Sequence, residues 1–147
     1  GVQTCALPIY CMESLSHTFL NVEFKELMKA LLRKYLTDEF KEKSIVLEVD
    51  RILLNKDELL IYRVHNIKYF FYDYFFLEKI IINRIGRTYH SKINTKIYKE
   101  ECVYTQNDQN VQYLQKYDAI AFLSKGKKEV FDKGCQVVEK ILNSLKH

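Results

Sequence analysis

Glycine and proline are scarce: the 147 residues hold four glycines, one proline and no tryptophan. So few glycines exclude a glycine-rich phosphate cradle, and the SKGKK of residues 124 to 128 offers only one glycine towards it. Cysteine is thin as well. Outside the first nine residues, Cys11, Cys102 and Cys135 are widely separated, an odd count with no C-x-x-C pair. That spacing excludes a disulfide framework and a structural zinc site, and points to free thiols in a reducing, cytoplasmic setting. The four histidines form no H-x-x-x-H pair and no Ser/His/Asp frame can be drawn around them. Charges interrupt every apolar run before the roughly 18 residues that a membrane helix needs, so no transmembrane segment is expected.

The opening GVQTCALPI is similar to the translated read-through of a sequencing adapter, with TGT GCT CTT CCG ATC decoding as Cys5 to Ile9. Residues 1–9 are therefore set aside as a non-native leader. Residues 10–147 have the length of one domain with one core.

Periodicity then assigns the elements. From Ser14 to about Leu36, Leu20, Phe24, Leu27, Met28, Leu31 and Tyr35 recur at three and four, which predicts an amphipathic helix. Residues 45 to 76 predict three successive strands. In the first, Ile45, Leu47, Val49 and Leu53 share one face while Glu48 and Asp50 share the other. If Leu54 pairs with Leu59 across the NKDE turn, Asp50 stands opposite Arg63 and Glu48 opposite His65, giving two opposite-charge pairs. The third strand, IKYFFYDYFF, carries rings on both faces and predicts a covered, central position.

Residues 78 to 99 fit an i, i+4 ladder and also alternate. Their β-branched content and Gly86 favour a hairpin turning near Gly86. Strand signals follow around residues 102 to 105 and 111 to 114, with a loop at NDQN, 107 to 110. A short buried strand is predicted at DAIAFL, 118 to 123. A turn at Lys125 and Gly126 then leads into a helix from about Lys128 to Leu145, with Gly134 beside its apolar stripe. A close approach of sheet backbone would explain that glycine.

The stretch EVDRILLNKDELLIYRVHN, residues 48 to 66, resembles the nuclease-related branch of the PD-(D/E)XK fold. In that family an aspartate on one strand is followed, about thirteen residues on, by a Glu-x-Lys-Asn tetrad. Asp50 matches the aspartate, and Val64 and Asn66 match within the tetrad. Arg63 stands where the metal-binding glutamate belongs and His65 where the lysine belongs. The resemblance implies a divergent, degenerate nuclease-like enzyme in which Glu48 and Asp50 hold a divalent metal. An arginine beside Asp50 would repel that cation.

Charge gives the preferred reading. Lysine outnumbers arginine 18 to 5, a bias that AT-rich coding produces, so position counts for more than the total of +4. Between Lys79 and Lys99 stand Lys79, Arg84, Arg87, Lys92, Lys96 and Lys99 with no acid, and His90 lies among them. This one-sign segment suits phosphates. The expectation is one α+β domain: an N-terminal helix, a mostly antiparallel sheet of five to seven strands, and a C-terminal helix packed on it. Its expected role is a non-catalytic binding domain without cofactor, whose basic residues meet nucleic acid or phospholipid headgroups. The nuclease-like enzyme is one alternative, and a scaffold domain of unknown partner is another.

Overall fold

In a computed structural model, residues 13–41, 44–69 and 71–146 are described, and the leader at residues 1–9 lies outside them. The chain runs β1 (Glu13–Phe19), α1 (Phe24–Lys34), α2 (Asp38–Lys41), β2 (Ser44–Leu53), β3 (Glu58–Tyr69), β4 (Tyr72–Asn83) and β5 (Thr88–Asn94). It continues with β6 (Tyr98–Asn107), β7 (Asn110–Ala119), α3 (Ala121–Ser124) and α4 (Lys127–Leu145). One sheet results, in the order β1-β7-β6-β5-β4-β3-β2, with every pairing antiparallel. The α+β class, the strand number and the closing helix are as the sequence predicts.

Several boundaries differ, each for a physical reason. The expected first helix begins as a strand. Leu15, His17 and Phe19 alternate with Ser14, Ser16 and Thr18, and β7 supplies an edge for that period-two segment. The helix itself starts only at Phe24, buries Phe24, Leu27, Ala30 and Leu31, and carries Arg33 and Lys34 in its last turn, where the helix dipole favours cations. The ring-rich IKYFFYDYFF is a hairpin tip rather than a central strand. Tyr69 pairs with Tyr72, Phe71 is fully exposed in the turn, and Phe75 faces solvent while Phe76 is buried. DAIAFL is not a strand, because β7 ends at Ala119 and the four-residue α3 follows. The turn near Gly86 and the turn at residues 108 and 109 fall where expected.

All strands alternate about the same two faces, and α1 and α4 cover one of them. Phe19, Ile61, Ile80, Tyr89, Tyr104 and Val111 of the sheet meet Leu27, Leu31, Phe131, Cys135, Val138 and Leu142 of the helices in one buried cluster. Tyr113 stacks between Tyr104 and Phe131, at 4.1 and 5.0 Å between ring centroids. Gly126 precedes α4 with φ of 77°, a left-handed conformation that glycine adopts without steric cost. Gly134 does accommodate a close approach, though of a side chain rather than of sheet backbone. A Cβ there would lie 3.0 Å from Nζ of Lys34 and 3.8 Å from the Phe40 ring.

Candidate ligand-binding cavity

A helix-covered sheet face should be apolar at every second position. Here the inward positions of β3, β4, β5 and β7 include Arg63, His65, Glu78, Ser91 and Gln115, all buried. Violations of so basic a pattern collect where a protein has work to do. These residues line a cavity of about 640 Å³ between the sheet and the helices. That lies within the roughly 300–1,000 Å³ of small-molecule sites. Rings supply much of the wall: Tyr35, Phe40, Phe76, Tyr89, Tyr98, Tyr104, Tyr113 and Phe131.

Each cavity carboxylate has its own cation. Arg63 donates to Glu78, with Nη2 2.7 Å from Oε1, and also to the Tyr89 hydroxyl at 3.2 Å. His65 Nε2 donates to the same Glu78 oxygen at 2.8 Å. Tyr35, the C-cap of α1, closes the group, its ring 5.1 Å from the Arg63 guanidinium and 5.4 Å from the His65 ring. Burial alone would raise the Glu78 pKa. The His65 hydrogen bond and the Arg63 charge outweigh it and hold the carboxyl at about 2. Burial likewise works against the Arg63 charge, but Tyr89, Glu78 and Tyr35 more than offset it, and its pKa is raised.

On the other flank, Lys127 of α4 lies 2.8 Å from Glu100 and donates to the Tyr98 hydroxyl, which itself donates to Glu100. Burial opposes the Glu100 charge, and Lys127 with Tyr98 still holds its pKa below the ordinary value. A third group is neutral. Gln115 Nε2 donates to the Tyr113 hydroxyl at 2.8 Å and to Cys102 Sγ at 3.3 Å, leaving Gln115 Oε1 buried without a partner among the described residues. Burial pushes the Cys102 thiol up to about 12 and the Tyr89, Tyr98, Tyr104 and Tyr113 phenols well above their usual range.

The residues singled out in the sequence lie elsewhere. Glu48 and Asp50 sit on exposed β2, the edge strand, where Glu48 pairs with Arg51 at 2.7 Å and Asp50 accepts the Arg51 backbone N–H. The pairing expected for them does not form, because Leu53 rather than Leu54 meets Leu59 and a bulge at Val49 shifts the register again. Glu48 therefore stands opposite Arg63 along the backbone, while the Arg63 and His65 side chains turn inward to Glu78. Among the described residues no group of three His, Cys, Asp or Glu side chains is placed to hold a metal ion.

The basic segment is divided by the topology. Lys79 and Lys92 are neighbours on the outward face, but Lys92 also faces Glu101, which His90 contacts at 3.0 Å. Lys99 faces Asp118. Arg84 and Arg87 occupy the β4–β5 turn and Lys96 the β5–β6 turn, at opposite ends of a seven-residue strand that spans about 20 Å. Tyr89 and Tyr98, which lie in the same segment, point into the cavity instead.

No family model and no curated protein matches the sequence. Solved structures do match. The 18 kDa protein CC1736 from Caulobacter crescentus superposes with a TM-score of 0.59 at 7% identity, covering 91% of this chain and 94% of that one. The Zhui aromatase/cyclase from Streptomyces sp. R1128 gives 0.56 at 9% identity, over 92% and 94%. Ara h 8.0201 gives 0.55 at 13% identity, over 93% and 100%. At 7–13% identity, what these three structures share with this chain is the fold. This overturns the resemblance to the nuclease-related domain: Asp50 and the Arg63-Val64-His65-Asn66 tetrad lie in neighbouring strands of a different fold, with Asp50 exposed and Arg63 and His65 buried. Glu78, Glu100, Gln115, Lys34 and Lys127 were not singled out by the sequence. For Glu78, Glu100 and Gln115 the signal was a polar residue at inward strand parity, readable only once the strand boundaries and the covered face are known; Lys34 and Lys127, at helix ends, gave no such signal.

Proposed function

We propose that this protein is a non-catalytic binding domain whose cavity holds a small, largely apolar organic molecule. The cavity itself carries the reading. A cavity of about 640 Å³ has the size of a small-molecule site. Eight aromatic side chains among its lining residues offer a ligand apolar contact, beside polar side chains that would orient one.

The titration of the wall favours binding over chemistry. Glu78 and Glu100 are held ionised by their own cations, and the buried phenols and the Cys102 thiol are held protonated. A general acid or base works best with a pKa near the operating pH, and these carboxylates, phenols and thiol are displaced from it, whereas the Lys34 ammonium is shifted towards it. That Zhui is named an aromatase/cyclase does not bear on this chain, since one fold hosts many activities.

Titration with the neutral fluorophore N-phenyl-1-naphthylamine tests the reading. Saturable one-to-one enhancement is expected, and Ser91→Phe, which places a ring in the cavity from β5, should suppress it. Enhancement that never saturates, or that Ser91→Phe leaves unchanged in a folded protein, would sink the proposal.

A further inference from the structure

Six cations line the cavity, Lys34, Arg63, Lys68, Lys125, Lys127 and Lys133, against two carboxylates. Glu78 is taken by Arg63 and His65, and Glu100 by Lys127. Lys34 is thus left without an acid. Its ammonium lies 5.1 Å from the centre of the Tyr35 ring and 5.4 Å from that of Phe40, against the backbone of Gly134. No carboxylate pairs with it and none of its three N–H bonds finds an acceptor among the described residues. Lys34 is half-buried, because it lines the cavity.

The simpler account is that a cation in the last turn of α1 serves the helix dipole. A side chain extended into water, like a typical surface lysine, would serve it equally. Lys34 turns inward instead, and the fold makes room for it with a glycine inside α4, where glycine weakens the helix. Burial disfavours its charge and lowers its pKa, and the Arg63 charge adds to that effect. Cys102, Glu100 and Cys135 oppose the shift without cancelling it. A half-buried ammonium with no carboxylate of its own favours a ligand that supplies its counter-charge. Gln115 Oε1, buried and unpartnered in the same cavity, is an acceptor and suits a donor elsewhere on a ligand rather than its carboxylate.

We propose that the cavity selects apolar molecules bearing a carboxylate, and that this carboxylate pairs with Lys34 between the Tyr35 and Phe40 rings. The inference rests on the binding role proposed above and names the chemical class of its ligand. It places the anionic partner inside the fold rather than on the outward cations.

The test compares pyrenebutyric acid with pyrenebutanol, which share a ring system and chain and differ in the head group. Each is titrated by displacement of N-phenyl-1-naphthylamine from the full chain. The acid should bind about tenfold or more tighter than the alcohol, the scale of a charge-assisted hydrogen bond in a dry site. Lys34→Met should bring the acid down to the level of the alcohol while leaving the alcohol within about twofold, the range expected when no direct contact is lost.

Gly134→Ala provides a second variant, since its Cβ would crowd the Lys34 ammonium. It should weaken the acid selectively. Equal affinity of acid and alcohol for the unmodified protein would overturn the inference and leave the cavity reading intact. So would a preference for the acid that survives Lys34→Met but disappears in Lys125→Met or Lys133→Met. Failure of the neutral fluorophore to bind at all would remove the binding role, and the inference with it.

Discussion

Two ion pairs in this molecule have the same chemistry and the same 2.7 Å separation: Glu48 with Arg51 on β2, and Glu78 with Arg63 between β4 and β3. The first has side chains 40–47% exposed, and the second 5–8%. Water screens the first pair and competes for both partners, so its net contribution is small. The second is held where an unpaired charge has no alternative solvation. The contact distance is the same in both, and burial decides what each pair does. Along one cavity wall the same contrast separates Lys127, with its carboxylate, from Lys34, with none.

Breaking the buried pair should have the largest effect. Glu78→Gln strands the Arg63 guanidinium and should cost about 3–5 kcal/mol in urea unfolding; a loss under about 1 kcal/mol would mean that water reaches the cluster. Replacing the pair together, Arg63→Met with Glu78→Leu, should cost far less than Glu78→Gln alone, because no charge is left stranded.

Acid sharpens the contrast next. Glu78 titrates at about 2 in the folded chain against an ordinary value of 4.5. A depressed folded pKa means that its contribution is complete above pH 4.5 and is lost as the pH falls towards 2. Stability measured across that window should decline more steeply in the parent than in Glu78→Gln. Parallel declines would contradict the assigned state of the carboxyl.

Glu48→Gln removes the exposed counterpart and should change stability by no more than about 1 kcal/mol. The smallest structural effect is expected on the outward face. Arg84→Glu, Arg87→Glu and Lys92→Glu combined should leave the melting temperature nearly unchanged, as surface substitutions do. They should also remove any salt-dependent retention on nucleic acid or anionic vesicles. Retention that persists in the triple variant would exclude those cations as its source.

Much of the fold could be read from local pattern. The i, i+3 and i+4 stripes locate α1 and α4, Gly86 marks the β4–β5 turn, and NDQN marks the β6–β7 turn. The site could not. Local alternation pairs Arg63 and His65 with β2 in a register that the Val49 bulge and a different β2–β3 turn undo, and their partner Glu78 lies on β4. A one-residue slip moves every side chain to the other face, and no local pattern announces a bulge. The ring-rich stretch misled for a related reason. Tyr69 to Tyr72 reads as continuous strand until it turns, and half of the apolar content then lies at a hairpin tip.

Residue periodicity alone determined the class of this chain, an antiparallel sheet closed by an amphipathic helix, because alternation and helical spacing are properties of neighbours along the backbone. Tertiary structure decided which face of the sheet is covered, which cation meets which carboxylate, and that Lys34 meets neither. Those outcomes depend on strand register and helix placement, which bring together Lys34 on α1, Glu100 on β6 and Gly134 on α4, residues that no local spacing connects.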